Sequence, residues 1–184
     1  MKYMVLWLLL MVQLSSAQSL LQNGTFDQSL DHWDNPSITP IWVSNDGAPA
    51  SGNGSLRFGS TFNNGGSVWM QSDIMPVKEG YRYIMASSYK LPSDSIANGL
   101  WMSIYWYDEM DNYLGEYPWD QRFNIGQTDT WLDFDYTFEN IITDATKARV
   151  VLWVTTPASG SDESYGLFDD VIFFQDTVFL SDFE

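Results

Sequence analysis

The chain has 184 residues, 24 of them acidic and eight of them Lys or Arg, so its formal net charge at pH 7 is −16. This acidity argues against nucleic acid or an anionic membrane as a partner, because binding to either requires a basic surface. The chain has no cysteine and a single histidine, His32. Thiol chemistry, disulfides and metal centres built on two histidines are therefore excluded.

The first 17 residues are typical of a secretory signal peptide. Lys2 precedes the apolar run 4–12, and residues 15–17, Ser-Ser-Ala, supply the small side chains of a cleavage site. The apolar run is shorter than the roughly 20 residues needed to span a membrane. We therefore expect secretion, to the extracellular space or the periplasm, after cleavage near Ala17. An uncut N-terminal anchor is the alternative.

Residues 18–175 alternate between strand-like and turn-like segments. Stretches rich in Val, Ile, Trp, Tyr and Phe are separated by clusters of Gly, Asn, Asp, Ser and Pro, which is typical of all-β proteins. This pattern predicts one antiparallel two-sheet β-sandwich of the jelly-roll type. The predicted strands are 41–44, 55–59, 68–71, 81–90, 100–107, 131–138, 147–155 and 167–174. Residues 176–184 form an acidic, aromatic tail outside this pattern.

Alternation along the strands predicts which side chains are buried, because successive side chains of a strand point to opposite faces. The predicted core contains Met85, Met102, Ile104, Phe134, Val150 and Leu152, together with the rings of Tyr83, Trp106, Trp131 and Phe168. The opposite faces of three strands carry aromatic rings mixed with Arg, Lys and Ser. An ordinary solvent-facing surface does not explain that composition.

A large apolar surface on a soluble protein generally marks a binding site. Exposed rings separated by hydrogen-bonding groups suit a sugar chain, whose C–H faces stack on rings while its hydroxyls meet polar side chains. The residues that we assign to such a ligand are Trp69, Gln71, Ser88, Lys90, Trp101, Tyr105, Tyr107, Arg149 and Trp153. Coverage of the rings by a loop such as 108–130 is the alternative, because aromatic residues favour strands whatever their function.

Several short motifs follow one another along the chain. LLQNGTFDQSLDHW opens the domain, SGNGSLRF, VKEGYRY and LWMSIYWYDEMDNYL follow, and ARVVLW and YGLFDDVIFF close it. Their order over residues 20–175 resembles carbohydrate-binding modules of the CenC type, the jelly rolls grouped as families 4, 9 and 22. The resemblance implies a galactose-binding-like jelly roll that recognises a poly- or oligosaccharide on a concave, aromatic-lined sheet.

The resemblance also implies a structural calcium ion. In that family, the acid of the opening motif and an Asp of the closing motif hold the ion. The role carries over to Asp27, where the family usually has Glu, and to Asp169 or Asp170, between which the sequence does not choose. Oxygens near Thr25 and in the segment 51–55, which contains Asn53, would complete the shell. The alternative is that these acids are ordinary turn and capping residues.

We therefore expect a secreted, non-catalytic, stand-alone carbohydrate-binding protein. One alternative is a carboxylate-dependent glycoside hydrolase on the same fold, since glycosidases use paired acids and pairs such as Asp108 and Glu109 occur. No acid lies in a recognisable catalytic motif, so we assign no catalytic residue. A second alternative is an extracellular adhesion or matrix protein whose aromatic face binds another protein.

Overall fold

The structure is a computed structural model that describes residues 19–176 except for residues 36, 50–51, 53, 62–63 and 119–128. The described residues form strands, turns and irregular segments, and no helix among them is long and apolar enough to cross a membrane. The predicted signal peptide, Asn53 and residues 177–184 of the tail lie outside the described residues.

The described part of the chain contains eleven strands. They are β1 Trp33–Asp34, β2 Ile41–Val43, β3 Ser55–Ser60, β4 Ser67–Ser72, β5 Met75–Pro76, β6 Arg82–Lys90, β7 Gly99–Tyr107, β8 Tyr113–Tyr117, β9 Leu132–Phe138, β10 Lys147–Thr155 and β11 Ser164–Asp176. All eight strands predicted from the sequence are present, with bounds that differ by a few residues. The structure adds β1, β5 and β8.

Two antiparallel sheets pack face to face, which confirms the predicted all-β sandwich. The front sheet has the order β1-β4-β10-β7-β8, with β5 also paired to β10. The back sheet has the order β2-β3-β11-β6-β9. Apart from the pairs β2–β3 and β7–β8, neighbouring strands are not consecutive in the chain, so neither sheet is a simple succession of hairpins.

One hydrophobic core lies between the sheets. Met85, Met102, Ile104, Val150 and Leu152 have no exposed surface, as the alternation predicted. The rings of Tyr83, Trp106 and Phe168 are also buried in this core. Phe134 is only partly buried, because its strand β9 lies at an edge of the back sheet.

Trp131 is not a core residue, and this prediction was wrong. The residue precedes β9 and its side chain is half-buried. The ammonium group of Lys90 lies 5.1 Å from the centre of its ring. Trp131 therefore packs under a cation on the outside of the back sheet, where an aromatic ring and a cation attract each other.

Strand β8 was missed because Gly115 interrupts its pattern. Gly115 has φ +154° and lies opposite an irregularity of β7 between Trp106 and Tyr107. Glycine inside a strand often marks such a bulge. The sequence interpretation placed residues 113–117 in the loop 108–130, whereas in the structure they extend the front sheet beside β7.

Candidate functional site

The outer face of the front sheet brings most of the predicted ligand-binding side chains together. We call this surface the aromatic face. It comprises Trp69 and Gln71 of β4, Trp101, Ser103, Tyr105 and Tyr107 of β7, Tyr113 and Glu116 of β8, and Arg149 and Trp153 of β10. The strand register aligns Trp69, Trp153 and Trp101 in one row and Arg149, Tyr105 and Glu116 in another.

Trp153 lies at the centre of the row of indoles. Its ring is stacked on that of Trp101, with centroids 4.6 Å apart and planes 10° from parallel, and it meets Trp69 at 6.4 Å and 57°. Trp101 is only 8% exposed, so the expectation that Trp101 faces solvent was wrong. Trp69 and Trp153 remain partly exposed.

A chain of hydrogen bonds fixes the indole of Trp153. Its Nε1–H donates to Ser103 Oγ at 2.9 Å, and the Ser103 hydroxyl donates to Glu116 Oε1. A serine has one hydroxyl proton to donate, so the chain has a single direction and ends on the carboxylate. The three residues come from three adjacent strands, β10, β7 and β8. The sequence interpretation missed Glu116 because it missed the strand that presents it.

Burial changes the acid–base properties of this face. Glu116 is half-buried, and desolvation raises the pKa of its carboxyl above the ordinary value, although the hydrogen bond from Ser103 opposes the shift. Desolvation also raises the pKa of Tyr105, and the neighbouring Glu116 raises it further. Tyr105 lies edge-on to Trp153 at 6.3 Å and to Tyr113 at 5.3 Å. At neutral pH the Tyr105 hydroxyl therefore keeps its proton and can donate it to a ligand.

A cavity of about 410 Å³ lies at one end of the aromatic face. Its lining consists of Gln71, Ile74, Tyr107, Asp111 and Arg149. The Arg149 guanidinium donates from Nη1 to the backbone carbonyl of Ser72 at 3.1 Å. Three of the lining residues belong to the set predicted from the sequence, so the structure joins them in one cavity beside the rings.

Ser88 and Lys90 do not join this surface, which corrects the predicted grouping. Both lie on β6 of the back sheet, on the opposite side of the sandwich. Ser88 Oγ donates to Asp133 Oδ1 at 2.8 Å, and Lys90 pairs with Asp46. Alternation shows which face of its own strand a residue occupies, but it does not show which sheet the strand joins.

The opening and closing motifs also come together, at the bulge of β11 between Asp169 and Ile172. The Val171 amide donates to the Gly24 carbonyl at 2.9 Å. Asp169 is fully buried, and its Oδ2 accepts a hydrogen bond from the Ala48 amide at 2.6 Å. The bulge, the opening segment and the loop before β3 are therefore neighbours.

One feature of these segments suits a hard cation such as calcium, namely a buried carboxylate oxygen of Asp27 that has no hydrogen-bond partner in the described part of the chain. This oxygen is Oδ1, whereas Asp27 Oδ2 accepts from the Thr25 hydroxyl at 2.9 Å. Asp170 lies in the bulge with φ +48°. Within the described ranges, no three acidic or histidine side chains form a metal-binding group. A calcium ion here would therefore need carbonyl oxygens or water beside the carboxylates.

Comparison with known proteins identifies the architecture. Models of known protein families do not match the chain, and neither do curated proteins. A similar solved structure is the CBM22-1 xylan-binding domain of Paenibacillus barcinonensis Xyn10C, with TM-score 0.62, 12% identity and coverage of 86% of this chain and 95% of that one. Another is TmCBM61 in complex with β-1,4-galactotriose, with TM-score 0.51, 12% identity and coverage of 86% and 99%.

The same fold also occurs as a part of longer chains. The enzymatically active domain of tailspike protein 4 of bacteriophage CBA120 matches with TM-score 0.64 and 13% identity, over 86% of this chain. The chain spans only 21% of the length of that tailspike domain. At such identities the comparisons show the fold, which is the β-sandwich found in carbohydrate-binding modules.

Proposed function

We propose that the chain is a secreted, non-catalytic carbohydrate-binding protein that holds a poly- or oligosaccharide against its aromatic face. The observation that carries the proposal is the indole of Trp153. It is partly exposed, stacked on Trp101 and fixed by the hydrogen bond to Ser103. A ring held in one orientation gives a sugar a flat apolar platform, and little side-chain freedom is lost on binding.

The polar groups around the rings suit sugar hydroxyls. Glu116 supplies acceptor oxygens, Arg149 supplies donors, and Gln71 and Tyr107 supply both kinds of group. Such sites combine an apolar lining with a few polar groups that fix the orientation of the ligand. The neighbours with the same fold include a xylan-binding domain and a module bound to a galactose trisaccharide, which supports a sugar as the ligand class.

The absence of catalysis is part of the proposal. A glycosidase needs two carboxyl groups on either side of the bond that it cleaves. Two carboxylates that border the rings and the cavity are engaged within the protein, Glu116 by Ser103 and Asp111 by Lys147. Both contacts suit a structural role for these acids.

The direct test is a glycan array probed with the protein without its first 17 residues. We expect saturable binding to at least one polysaccharide, with no new reducing ends in a parallel incubation. New reducing ends would identify a glycoside hydrolase instead. Binding to extracellular proteins and to no glycan would identify an adhesion protein. Secretion is tested by expressing the full chain and sequencing the N-terminus of the exported protein, which should begin near Gln18.

We also propose that one calcium ion holds the opening segment to the bulge of β11. Asp27 and either Asp169 or Asp170 would supply carboxylate oxygens, and Thr25 and the segment around Asn53 would supply others. The buried, unpartnered Asp27 Oδ1 supports this assignment. A chain without disulfides gains from such an ion, because an ion that binds only the folded state stabilises it.

A further inference from the structure

Arg149 differs from the other cations around it. In the described part of the chain, ion pairs with carboxylates are formed by Arg57, Arg82, Lys90 and Lys147. Arg149 and Lys78 have no such pair among these residues. Lys78 is exposed and contacts Tyr81, whereas Arg149 is half-buried on the aromatic face of a chain whose net charge is −16. A partly desolvated guanidinium beside so many available acids, yet paired with none of them, is unusual.

The position of Arg149 follows from a break in the front sheet. Strands β4 and β5 both pair with β10, and residues 73–74 between them leave the ladder. At this break the Val150 amide donates to Ser72 Oγ at 3.0 Å, and Arg149 Nη1 donates to the Ser72 carbonyl at 3.1 Å. The guanidinium has five N–H donors, and this contact uses one of them. The break therefore holds Arg149 in place and leaves most of its donors for a ligand.

Among the described residues, Arg149 is the one cation that lines the cavity beside it. The cavity's only lining carboxylate among them is Asp111, which accepts from Lys147 Nζ at 2.6 Å. Lys147 is also held by the Glu109 carbonyl at 2.8 Å. Among the described lining residues there is thus one carboxylate, which is already paired with Lys147, and one guanidinium, which has no carboxylate partner.

The opposite side of the aromatic face carries the negative charge. Tyr105 pairs with Arg149 on one side and with Glu116 on the other. A ligand that lies across Tyr105 therefore meets an anion at one end and a cation at the other. An acidic group of the ligand would be repelled by Glu116 and attracted by Arg149, so this arrangement sets the direction of an acidic ligand.

We infer that the aromatic face binds a saccharide that contains a uronic acid, with the sugar carboxylate held by Arg149 in the cavity. This inference rests on the proposed function. The planar guanidinium matches a carboxylate through two parallel hydrogen bonds. Gln71 and Tyr107 on the same wall offer donors and acceptors to the hydroxyls of that sugar unit. The neighbouring sugar units of the saccharide then stack on the rings of Trp69 and Trp153.

The test compares acidic polysaccharides with their own neutral forms. Glucuronoxylan, polygalacturonate, alginate and hyaluronan are each paired with the same polymer after reduction of its carboxyl groups to primary alcohols. We expect the protein to bind at least one acidic polymer about tenfold more tightly than its reduced form, the size expected for a charge-assisted pair. The preference should shrink as salt rises, because salt screens partly exposed charges.

Three variants assign the preference to one residue. Arg149→Gln should bring the two affinities within about twofold of each other. Arg149→Lys keeps the charge but loses the planar fork, so it should retain only part of the preference. Lys78→Gln is the matched control: it removes the same charge from an exposed residue outside the cavity, whose polar contact is with Tyr81, and it should keep the full preference. Melting curves establish that each variant is folded.

The outcomes separate the two proposals. Wild-type protein that binds neutral polymers but prefers no acidic polymer over its reduced form would overturn the uronic-acid inference and leave carbohydrate binding intact. A preference that survives in Arg149→Gln would also overturn it. Binding to no acidic, reduced or neutral polysaccharide would overturn the proposed function, and this inference with it.

Discussion

The outer faces of both sheets carry aromatic rings and charged side chains, but among the described residues these groups are paired with each other on the back sheet and not on the aromatic face. On the back sheet, rings and charges satisfy one another: Arg57 lies 3.8 Å from the centre of the Tyr165 ring and pairs with Glu163 at 2.6 Å. The Tyr165 hydroxyl in turn bonds Asp94, and burial with this contact raises its pKa to about 12. On the aromatic face, the rings of Trp69 and Trp153 have no cation over them among the described residues.

This difference shows why aromatic content alone does not identify a binding surface. A ring covered by a cation, such as Trp131 beneath Lys90, has one face already occupied. Trp153 is held from its edge and by the stack with Trp101, so it is positioned without being enclosed. Among the described residues, the aromatic face therefore carries indole rings that no cation covers, whereas the rings of Tyr165 and Trp131 on the back face are each paired with a cation.

The two faces share one core, so the largest effect should come from damage to that core. Leu152 is fully buried and lies between Met70 and Met102 in the front sheet. Leu152→Ala should lower the free energy of unfolding by about 2–5 kcal/mol, because it removes buried methyl groups and leaves a cavity. Urea denaturation measures the change. The control Leu132→Ala, at a partly buried edge position, should cost clearly less, and equal losses would contradict this description of the core.

Calcium should affect the back sheet and leave the aromatic face unchanged. Removal of calcium by a chelator should lower the melting temperature, and excess calcium should restore it more fully than magnesium, which demands stricter geometry. At a thousand times the dissociation constant, an ion adds about 4 kcal/mol to the free energy of unfolding. Differential scanning calorimetry of the metal-free protein measures the response.

A matched pair of variants locates that ion. Asp27→Asn should abolish the response to calcium, because it weakens the ligand with the unpartnered oxygen. Asp31→Asn changes a nearby exposed acid whose contact is with Ser29, and it should keep the response. If neither chelator nor calcium changes the melting temperature, no calcium ion is bound there, and Asp27 and Asp169 are ordinary turn residues. Loss of the response in Asp31→Asn alone would place the ion elsewhere in the opening segment.

Removal of one indole from each face tests whether only the aromatic face binds polysaccharide. Trp153→Ala should weaken polysaccharide binding about tenfold or more, and removal of its stack with Trp101 should cost about 1 kcal/mol of stability. Trp131→Ala removes an indole of similar burial from the back face and should leave binding unchanged. Isothermal titration calorimetry and melting curves measure both quantities. If the two variants lose affinity equally, the distinction between the faces is wrong.

The sequence predicted what depends on local periodicity. A period of two placed Met102, Ile104 and Leu152 in the core, and the clusters of turn residues marked the ends of eight strands. The same period collected Trp69, Tyr105 and Trp153 on outward faces. In the structure these faces belong to adjacent strands of one sheet. Fold class and much of the candidate site therefore follow from patterns a few residues long.

What could not be predicted depends on contacts between distant segments. Ser88 was assigned to the wrong surface because the strand order of each sheet is set by the packing of the whole sandwich. Glu116 was missed because Gly115 disrupts the alternation of its short strand. Even with that strand known, the bond from Ser103 to Glu116 depends on the register between β7 and β8. The register shifts between Trp106 and Tyr107, and a simple period of two does not predict such an irregularity.

The smallest effect on stability should come from substitution of Glu116. This substitution tests whether the hydrogen bonds through Ser103 fix the orientation of Trp153 on the aromatic face. Burial raises the pKa of this carboxyl above its ordinary value of 4.5. The folded state therefore holds the proton more tightly than the unfolded state, and the stability gained in this way is complete below the ordinary value. It is lost as the pH rises through the higher pKa of the folded state. The Glu116→Gln side chain keeps an oxygen that can accept the hydrogen bond from Ser103, but the side chain is uncharged at every pH.

We therefore expect Glu116→Gln to be slightly more stable than the wild type at neutral pH and to show a flatter dependence of melting temperature on pH above 4.5. Trp153 fluorescence should change with pH in the wild type over the same range and stay constant in the variant, because the relay through Ser103 links the indole to the carboxylate. Tyr105 and Tyr113 also border Glu116, but burial raises the pKa of both hydroxyls, so they do not titrate in this range. The exposed Glu79→Gln is the control and should follow the wild type. Identical pH profiles for wild type and Glu116→Gln would mean that the orientation of Trp153 depends on packing against Trp101 alone.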